Sequence, residues 1–218
     1  MAELYLTRKI DSYLKKWKKD ADRKPLIVKG PRQVGKTESL RRFANANYQS
    51  VIYINFVEEP KYKFITDDGY GTDDIIKNIS RIDPAKRFEP GNTVIFFDEI
   101  QDFPQISTAL KFFKIDGRFD VICSGSLLGI NYKKIESNSV GYKTDYTMNS
   151  LDFEEFLWAK GYQADTIHDM LWHMFECLNK NTTEVRNIKK YLLATLFNAP
   201  STMGSYYKAQ VNRDMYAY

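Results

Sequence analysis

Two cysteines in 218 residues cannot form a disulfide framework, so this chain has to be held together by a hydrophobic core. Cys123 and Cys177 are expected to be buried free thiols in a reducing compartment. Long apolar runs are missing as well. The longest hold four residues or so, as in Val94-Ile95-Phe96-Phe97, far short of the roughly 20 needed to span a bilayer. The opening residues, Met1 to Lys9, have neither the apolar stretch nor the small-residue cleavage site of a secretory leader. A cytoplasmic protein with no membrane partner is therefore expected. Histidine is scarce: His168 and His173 are five apart on a helical pattern, so they do not share a face. With no Cys or carboxylate arrangement beside them, they are not read as metal ligands. No internal repeat or low-complexity tract interrupts the chain.

What is present suffices for a packed domain. The chain is 43% apolar and 15% aromatic, which excludes disordered and fibrous classes. Its net charge of +4 is too small to argue for nucleic acid. The distribution is more informative, because residues 1–48 hold 13 Lys/Arg against 5 Asp/Glu and the other 170 hold 19 against 23. A basic N-terminal quarter suits a polyanion, a nucleotide as readily as DNA.

Hydrophobic periodicity places the elements. Residues 8–20 read as an amphipathic helix, with Ile10, Tyr13, Leu14 and Trp17 on one face and Lys15, Lys16, Lys18 and Lys19 in water. Strands are expected at Leu26–Val28, Val51–Phe56, Thr93–Phe97 and Phe119–Cys123, with a fifth at Tyr142–Met148. Helices are expected at 37–45, 73–81 and 105–114, and residues 57–71 as a polar loop. Strands alternating with helices at these lengths indicate a parallel sheet covered on both faces. Beyond Leu151 the pattern becomes helical, with Asp152 and Glu155 opening a helix to Lys160. Ile167, Met170, Leu171, Met174, Phe175 and Leu178 mark the next, and Val185, Ile188, Leu192 and Leu196 a third. The expected organisation is a core over residues 1–160, with helix 8–20 packed on it, and a helical part over 161–218.

Gly30-Pro31-Arg32-Gln33-Val34-Gly35-Lys36-Thr37 matches G-x-x-x-x-G-K-[ST] after an apolar strand and at the start of a helix. The glycines let successive backbone N–H groups converge on phosphate oxygens, and the helix N-terminus adds its positive end. Lys36 then reaches the β- and γ-phosphates, and Thr37 offers its hydroxyl to Mg²⁺. A chance match in a chain of this length is on the order of one in a hundred, so context decides, and strand and helix are both in place.

Asp98 and Glu99 close the apolar strand Val94–Phe97 at its C-terminal end, where parallel sheets bind ligands. Asp98 is expected to hold the water shell of Mg²⁺, and Glu99 to orient and deprotonate an attacking water. Ser124 and Ser126 end the next strand. One hydroxyl there can sense the γ-phosphate or the water, or the Ser-Gly-Ser sequence can simply cap the following helix. Asn179-Lys180-Asn181-Thr182 lacks the final Asp of a guanine-reading motif, so GTP is not favoured.

Four motifs in order then resemble a known family. Leu26–Thr37, Phe97-Asp98-Glu99-Ile100-Gln101, Ser124–Gly129, and Met148 with Leu151–Leu157 look like the prokaryotic AAA+-type ATPases that carry a C-terminal domain of unknown function. The likeness covers roughly residues 6–162. It implies a P-loop NTPase three-layer α/β sandwich of about five parallel strands, in order 5-1-4-3-2, with Mg-ATP as ligand. Members usually run on well beyond this length, so residues 161–218 are expected to be a helical lid or the start of a truncated C-terminal domain. Such enzymes also tend to carry an arginine finger before the fifth strand. Here no arginine occurs between Arg118 and Arg186, and the stretch before the fifth strand offers only Lys133, Lys134 and Lys143.

The expected activity is thus ATP binding with slow hydrolysis that drives a conformational switch. The alternative is a nucleotide-gated module for a protein partner, or an ATPase associated with nucleic acid through the basic first helix and a helix–turn–helix start at 184–217. A small-molecule kinase is disfavoured, because no Arg-rich lid is present.

Overall fold

A computed structural model describes residues 5–126, 139–162 and 164–180, with 187, 188, 190, 191, 194, 195, 198 and 199. Helix α1 (Lys9–Lys19) precedes strand β1 (Leu26–Gly30), helix α2 (Lys36–Asn47) and strand β2 (Ser50–Asn55). Helix α3 (Thr72–Ile82), strand β3 (Thr93–Asp98), helix α4 (Ile106–Asp116), and strands β4 (Asp120–Ser126) and β5 (Thr144–Thr147) follow. The five strands form one sheet in the order β2-β3-β4-β1-β5, every pair parallel. This is the expected 5-1-4-3-2 order, read from the other edge.

The alternation of side chains along each strand builds two cores. On one face Ile27, Ile54, Ile95, Phe97, Val121 and Cys123 pack against α3 and α4. On the other, Leu26, Val28, Val94, Phe96 and Ile122 meet Ile10, Leu14 and Trp17 of α1 and Leu40 and Phe43 of α2. All six residues of β3 are buried. That accounts for its unbroken apolar sequence, since a central parallel strand has no wet face.

At the N-terminal edge of the sheet Asp120 ties the first layer down. It accepts hydrogen bonds from Arg23 Nε at 2.6 Å, Tyr48 OH at 2.6 Å and Lys18 Nζ at 3.2 Å. Burial opposes its charge, but the bonds from Arg23 and Tyr48 outweigh burial and hold its pKa below the ordinary carboxylate range.

Some expectations need correction. Residues 57–71 are not merely a polar loop: Pro60–Phe64 is a 3₁₀ helix, and Tyr62 and Ile65 are wholly buried in the core. The apolar residues Tyr62, Phe64 and Ile65 are too few in a short charged stretch to give a periodic signal. Strand β4 runs on through Ser124-Gly125-Ser126, which pair with Val28, Lys29 and Gly30 instead of turning. Cys177 is only half-buried, whereas Cys123 is a buried free thiol as expected, its pKa pushed far up by desolvation.

Arg8–Asp152 form one compact unit, and the helices from Phe153 onward belong to another. In the latter, α5 (Phe153–Ala159) and α6 (Ala164–Lys180) contribute Leu157 and Met170 to a small core with Ala199. Phe175, expected on the apolar face of α6, is exposed, and so is Trp172. Most of the third expected helix and of the 184–217 motif, together with Lys133, Lys134, Arg186 and Leu127–Gly129, lie outside the described residues.

Candidate functional site

The loop from Gly30 to Gly35 takes a shape that ordinary residues resist. Gly35 has φ 89° and Gln33 has φ 62°, both left-handed. At Gly30 the requirement is space: an added Cβ would lie 2.0 Å from the Met148 carbonyl oxygen. The chain after β5 crosses at that point, with the Met148 N–H donating to the Lys29 carbonyl at 2.7 Å. Lys36 opens α2, and its ammonium donates to the carbonyls of Pro31 at 2.6 Å and Gly30 at 3.1 Å. Burial pulls its pKa below the ordinary lysine range, while the charges of Glu99 and Asp98 act in the opposite sense. Pro31, Arg32 and Gln33 at the loop crest are exposed.

Asp98 is the centre of the site. Its position in β3 directs it to the same sheet face as Val94 and Phe96, where α2 begins. There Thr37 Oγ1 donates to Asp98 Oδ2 at 3.0 Å, and the Glu99 N–H donates to Asp98 Oδ1 at 2.9 Å. Ser124, beside it on β4, donates its hydroxyl to Oδ1, and Tyr53 on β2 donates to Oδ2 at 2.9 Å. Four donors therefore meet a carboxylate that is 2% exposed, which is how a buried charge is tolerated.

Glu99 breaks the strand. Alternation would send it to the opposite face, but a left-handed backbone (φ 55°, ψ 46°) turns the chain there into the 3₁₀ segment Ile100–Asp102. Such a conformation costs a non-glycine residue about 1–3 kcal/mol and tends to persist at functional sites. Gln101 spans the turn: its Nε2 donates to Glu99 Oε2 and its Oε1 accepts the Ser126 N–H at 3.1 Å.

The structure thus brings Lys36, Thr37, Asp98, Glu99 and Ser124 together at the C-terminal ends of β1, β3 and β4. It spends the Ser124 hydroxyl on Asp98 rather than leaving it on a turn, and Ser126 contributes a backbone N–H. Tyr53 escaped the sequence reading, and Gln101 stood in it only as the end of the Phe97–Gln101 motif, with no role assigned. Tyr53 lies in a β-branched strand, where an aromatic residue reads as core, and only the register Asn55↔Asp98 brings it near. Desolvation and the Asp98 charge push the Tyr53 phenol up to about 12. Tyr53→Phe should cost about 1.5–3 kcal/mol, the net worth of one hydrogen bond to a charged acceptor. Thermal melting checks this, and an unchanged midpoint would exclude any net contribution from that hydroxyl.

The oxygen donors suit Mg²⁺. A hydroxyl and a carboxylate 3.0 Å apart are donors of the kind this cation takes, and would leave its remaining positions to waters and phosphate oxygens. Among the described residues no group of three His, Cys, Asp or Glu forms a separate metal cage. Among them, too, no helix is long and apolar enough to cross a membrane.

A parallel β2-β3-β4-β1-β5 sheet between helical layers, with a G-x-x-x-x-G-K-T loop joining β1 to α2, defines a P-loop NTPase-like α/β protein. More narrowly, the chain belongs to the AAA family: the model described as "AAA domain" matches residues 22–157. It is accordingly a nucleotide-binding, ATPase-like module. Residues 145–218 match a family of unknown function, DUF6017. Among solved structures, that of Caenorhabditis elegans PCH-2 is similar at 10% identity and a TM-score of 0.40, over 89% of this chain and 68% of that one. No curated protein matches.

Proposed function

We propose that the chain binds Mg-ATP between the 30–37 loop and the Asp98-Glu99 pair and hydrolyses it slowly, in the cytoplasm, to drive a conformational switch. The observation that carries this is the 3.0 Å hydrogen bond from Thr37 to Asp98, which joins the phosphate loop to the acidic strand end. In this reading Gly30 to Gly35 wrap the phosphates with backbone N–H groups, and Lys36 leaves its two carbonyls for the β- and γ-oxygens. Thr37 and Asp98 would hold Mg²⁺, which would supply positive charge against the phosphates. Glu99, braced by Gln101, orients the water and takes its proton. Ser124 serves by aligning Asp98. The helices beyond residue 160 act as a lid or as the start of a further domain that responds to the nucleotide and meets a protein partner.

The lack of an arginine between Arg118 and Arg186 favours slow turnover, since an arginine finger is worth about 10³–10⁵ in rate. It equally supports a second reading, a nucleotide-gated interaction module with little hydrolysis, and nucleic acid as a partner rests on the basic α1 and the helix–turn–helix start expected at 184–217. Turnover on the order of one per minute or slower is expected of the isolated chain.

Calorimetric titration with ATP and GTP, each with Mg²⁺ and with EDTA, tests the core of the proposal. Tighter ATP binding with Mg²⁺ is the expected result. GTP bound about ten times more tightly than ATP, a difference of about 1.4 kcal/mol, would reverse the base preference. Absence of any nucleotide binding would refute the reading.

A further inference from the structure

Arg8 stands at the entrance of α1, 26 residues before Val34, yet its guanidinium ends on the glycine-rich loop. Nη1 donates to the Val34 carbonyl at 2.9 Å, and Nη2 donates to the Asn149 carbonyl at 2.8 Å. The residue is only 6% exposed. Its backbone is held as well: its N–H donates to Asp11 Oδ2 at 2.8 Å, and its carbonyl accepts the Asp11 N–H at 3.0 Å. A buried cation is costly unless its donors are met. The planar guanidinium fork meets two fixed acceptors at once, which the point charge of a lysine does not.

Peptide planarity says what this clamp does to the loop. The Val34 C=O and the Gly35 N–H belong to one trans peptide and point in opposite directions; no cis bond is present among the described residues. Holding the carbonyl on Arg8 therefore holds the Gly35 N–H facing away from Arg8. Anion-binding loops work by keeping successive N–H groups turned to one side. Gly35, at φ 89°, has no side chain to stabilise its peptide from within, and a Cβ placed there would lie 4.0 Å from Arg8 Nη1. The orienting contact therefore comes from outside the loop.

We propose that Arg8 is a positioning residue for the phosphate-binding loop. It fixes the Val34–Gly35 peptide so that the Gly35 N–H is presented to the phosphates, and it ties that orientation to the chain leaving β5. The inference rests on the reading of the 30–37 loop as the nucleotide site. Arg8 acts through the Val34 carbonyl, not by touching the nucleotide. Its neighbour Lys9 pairs with Asp152 at 2.6 Å, both half-exposed, and serves as a control for simple loosening of the α1 entrance.

Arg8→Lys keeps the charge and replaces the fork with a single point donor, whereas Arg8→Gln removes the charge. The full chain and these variants are titrated with Mg-ATP, Mg-ADP and adenosine, and folding is followed by thermal melting. Both variants should lose about ten-fold or more in ATP and ADP affinity, the worth of one backbone hydrogen bond to a charged group. Adenosine affinity should be unchanged, and Lys9→Ala should bind all three ligands as the wild type does. A role confined to folding would weaken the three ligands in step, or lower the melting point alone, and either result overturns the proposal. Wild-type Mg-ATP affinity in Arg8→Lys overturns it too, and that variant decides even where Arg8→Gln does not fold. Absence of Mg-ATP binding in the wild type is a different failure, which removes the nucleotide site itself.

Discussion

Glu99→Gln is expected to leave Mg-ATP bound as tightly as in the wild type, or slightly more tightly, while hydrolysis falls by about 10²- to 10⁴-fold. The amide keeps the size and hydrogen-bonding shape of the side chain and removes only its basicity. One negative charge near the phosphates is also lost, which is why affinity moves upward if at all. The surroundings make the substitution a fair test, since Gln101 donates to Glu99 Oε2 and an amide oxygen accepts the same bond. The left-handed turn at Glu99 is a backbone feature that the amide tolerates equally. Single-turnover phosphate release, set beside a Lys36→Ala blank, is the measurement. Equal rates for wild type and Glu99→Gln above that blank would remove Glu99 from the mechanism and favour the gated-module reading. Asp98→Asn should differ in kind, losing Mg²⁺-dependent affinity along with rate, because the carboxylate joins Thr37 at the metal position.

The second large effect concerns binding. Lys36→Ala should weaken Mg-ATP by about ten-fold or more, from a charge-assisted contact worth roughly 1.5–3 kcal/mol. In the structure the ammonium rests on the Gly30 and Pro31 carbonyls, so binding exchanges two neutral acceptors for charged phosphate oxygens. The substitution also removes an ammonium whose charged form burial already disfavours, so it should cost the fold little. Thr37 and Asp98 remain joined in that variant. A folded Lys36→Ala chain with undiminished ATP affinity in calorimetric titration would refute the phosphate-loop assignment.

Both predictions use residues that could be read directly from the chain. The phosphate loop is local: its glycines, lysine and threonine are consecutive, so one short segment specifies both the turn and its chemistry. The same holds for Asp98-Glu99, announced by a fully apolar strand. What surrounds them is another matter. Tyr53 and Ser124 reach Asp98 from strands on either side of β3, and Arg8 reaches Val34 from the start of α1. Tyr53 and Arg8 look ordinary in sequence, a tyrosine in a strand and an arginine among thirteen cations in the first 48 residues, while Ser124 stood out there as a candidate for the γ-phosphate or the water and not for Asp98. Tyr62 and Ile65 were likewise hidden, since so short an apolar group carries no period, and its third member, Phe64, is exposed.

By itself, then, the amino-acid sequence determined the alternating strand and helix order, the parallel sheet, the phosphate loop and the acidic strand end. All of these depend on side-chain period and on contiguous motifs, which survive in one dimension. The tertiary structure alone decided that β4 continues through Ser126 and that Asp98 is held by four donors. It also decided that Glu99 turns off the sheet in a left-handed conformation and that Arg8 closes over the loop. The physical reason is that these features depend on strand register and on partners 26 to 141 residues apart. Hydrogen bonds at such separations are chosen by which elements the packed core sets side by side, and local pattern carries no record of that choice.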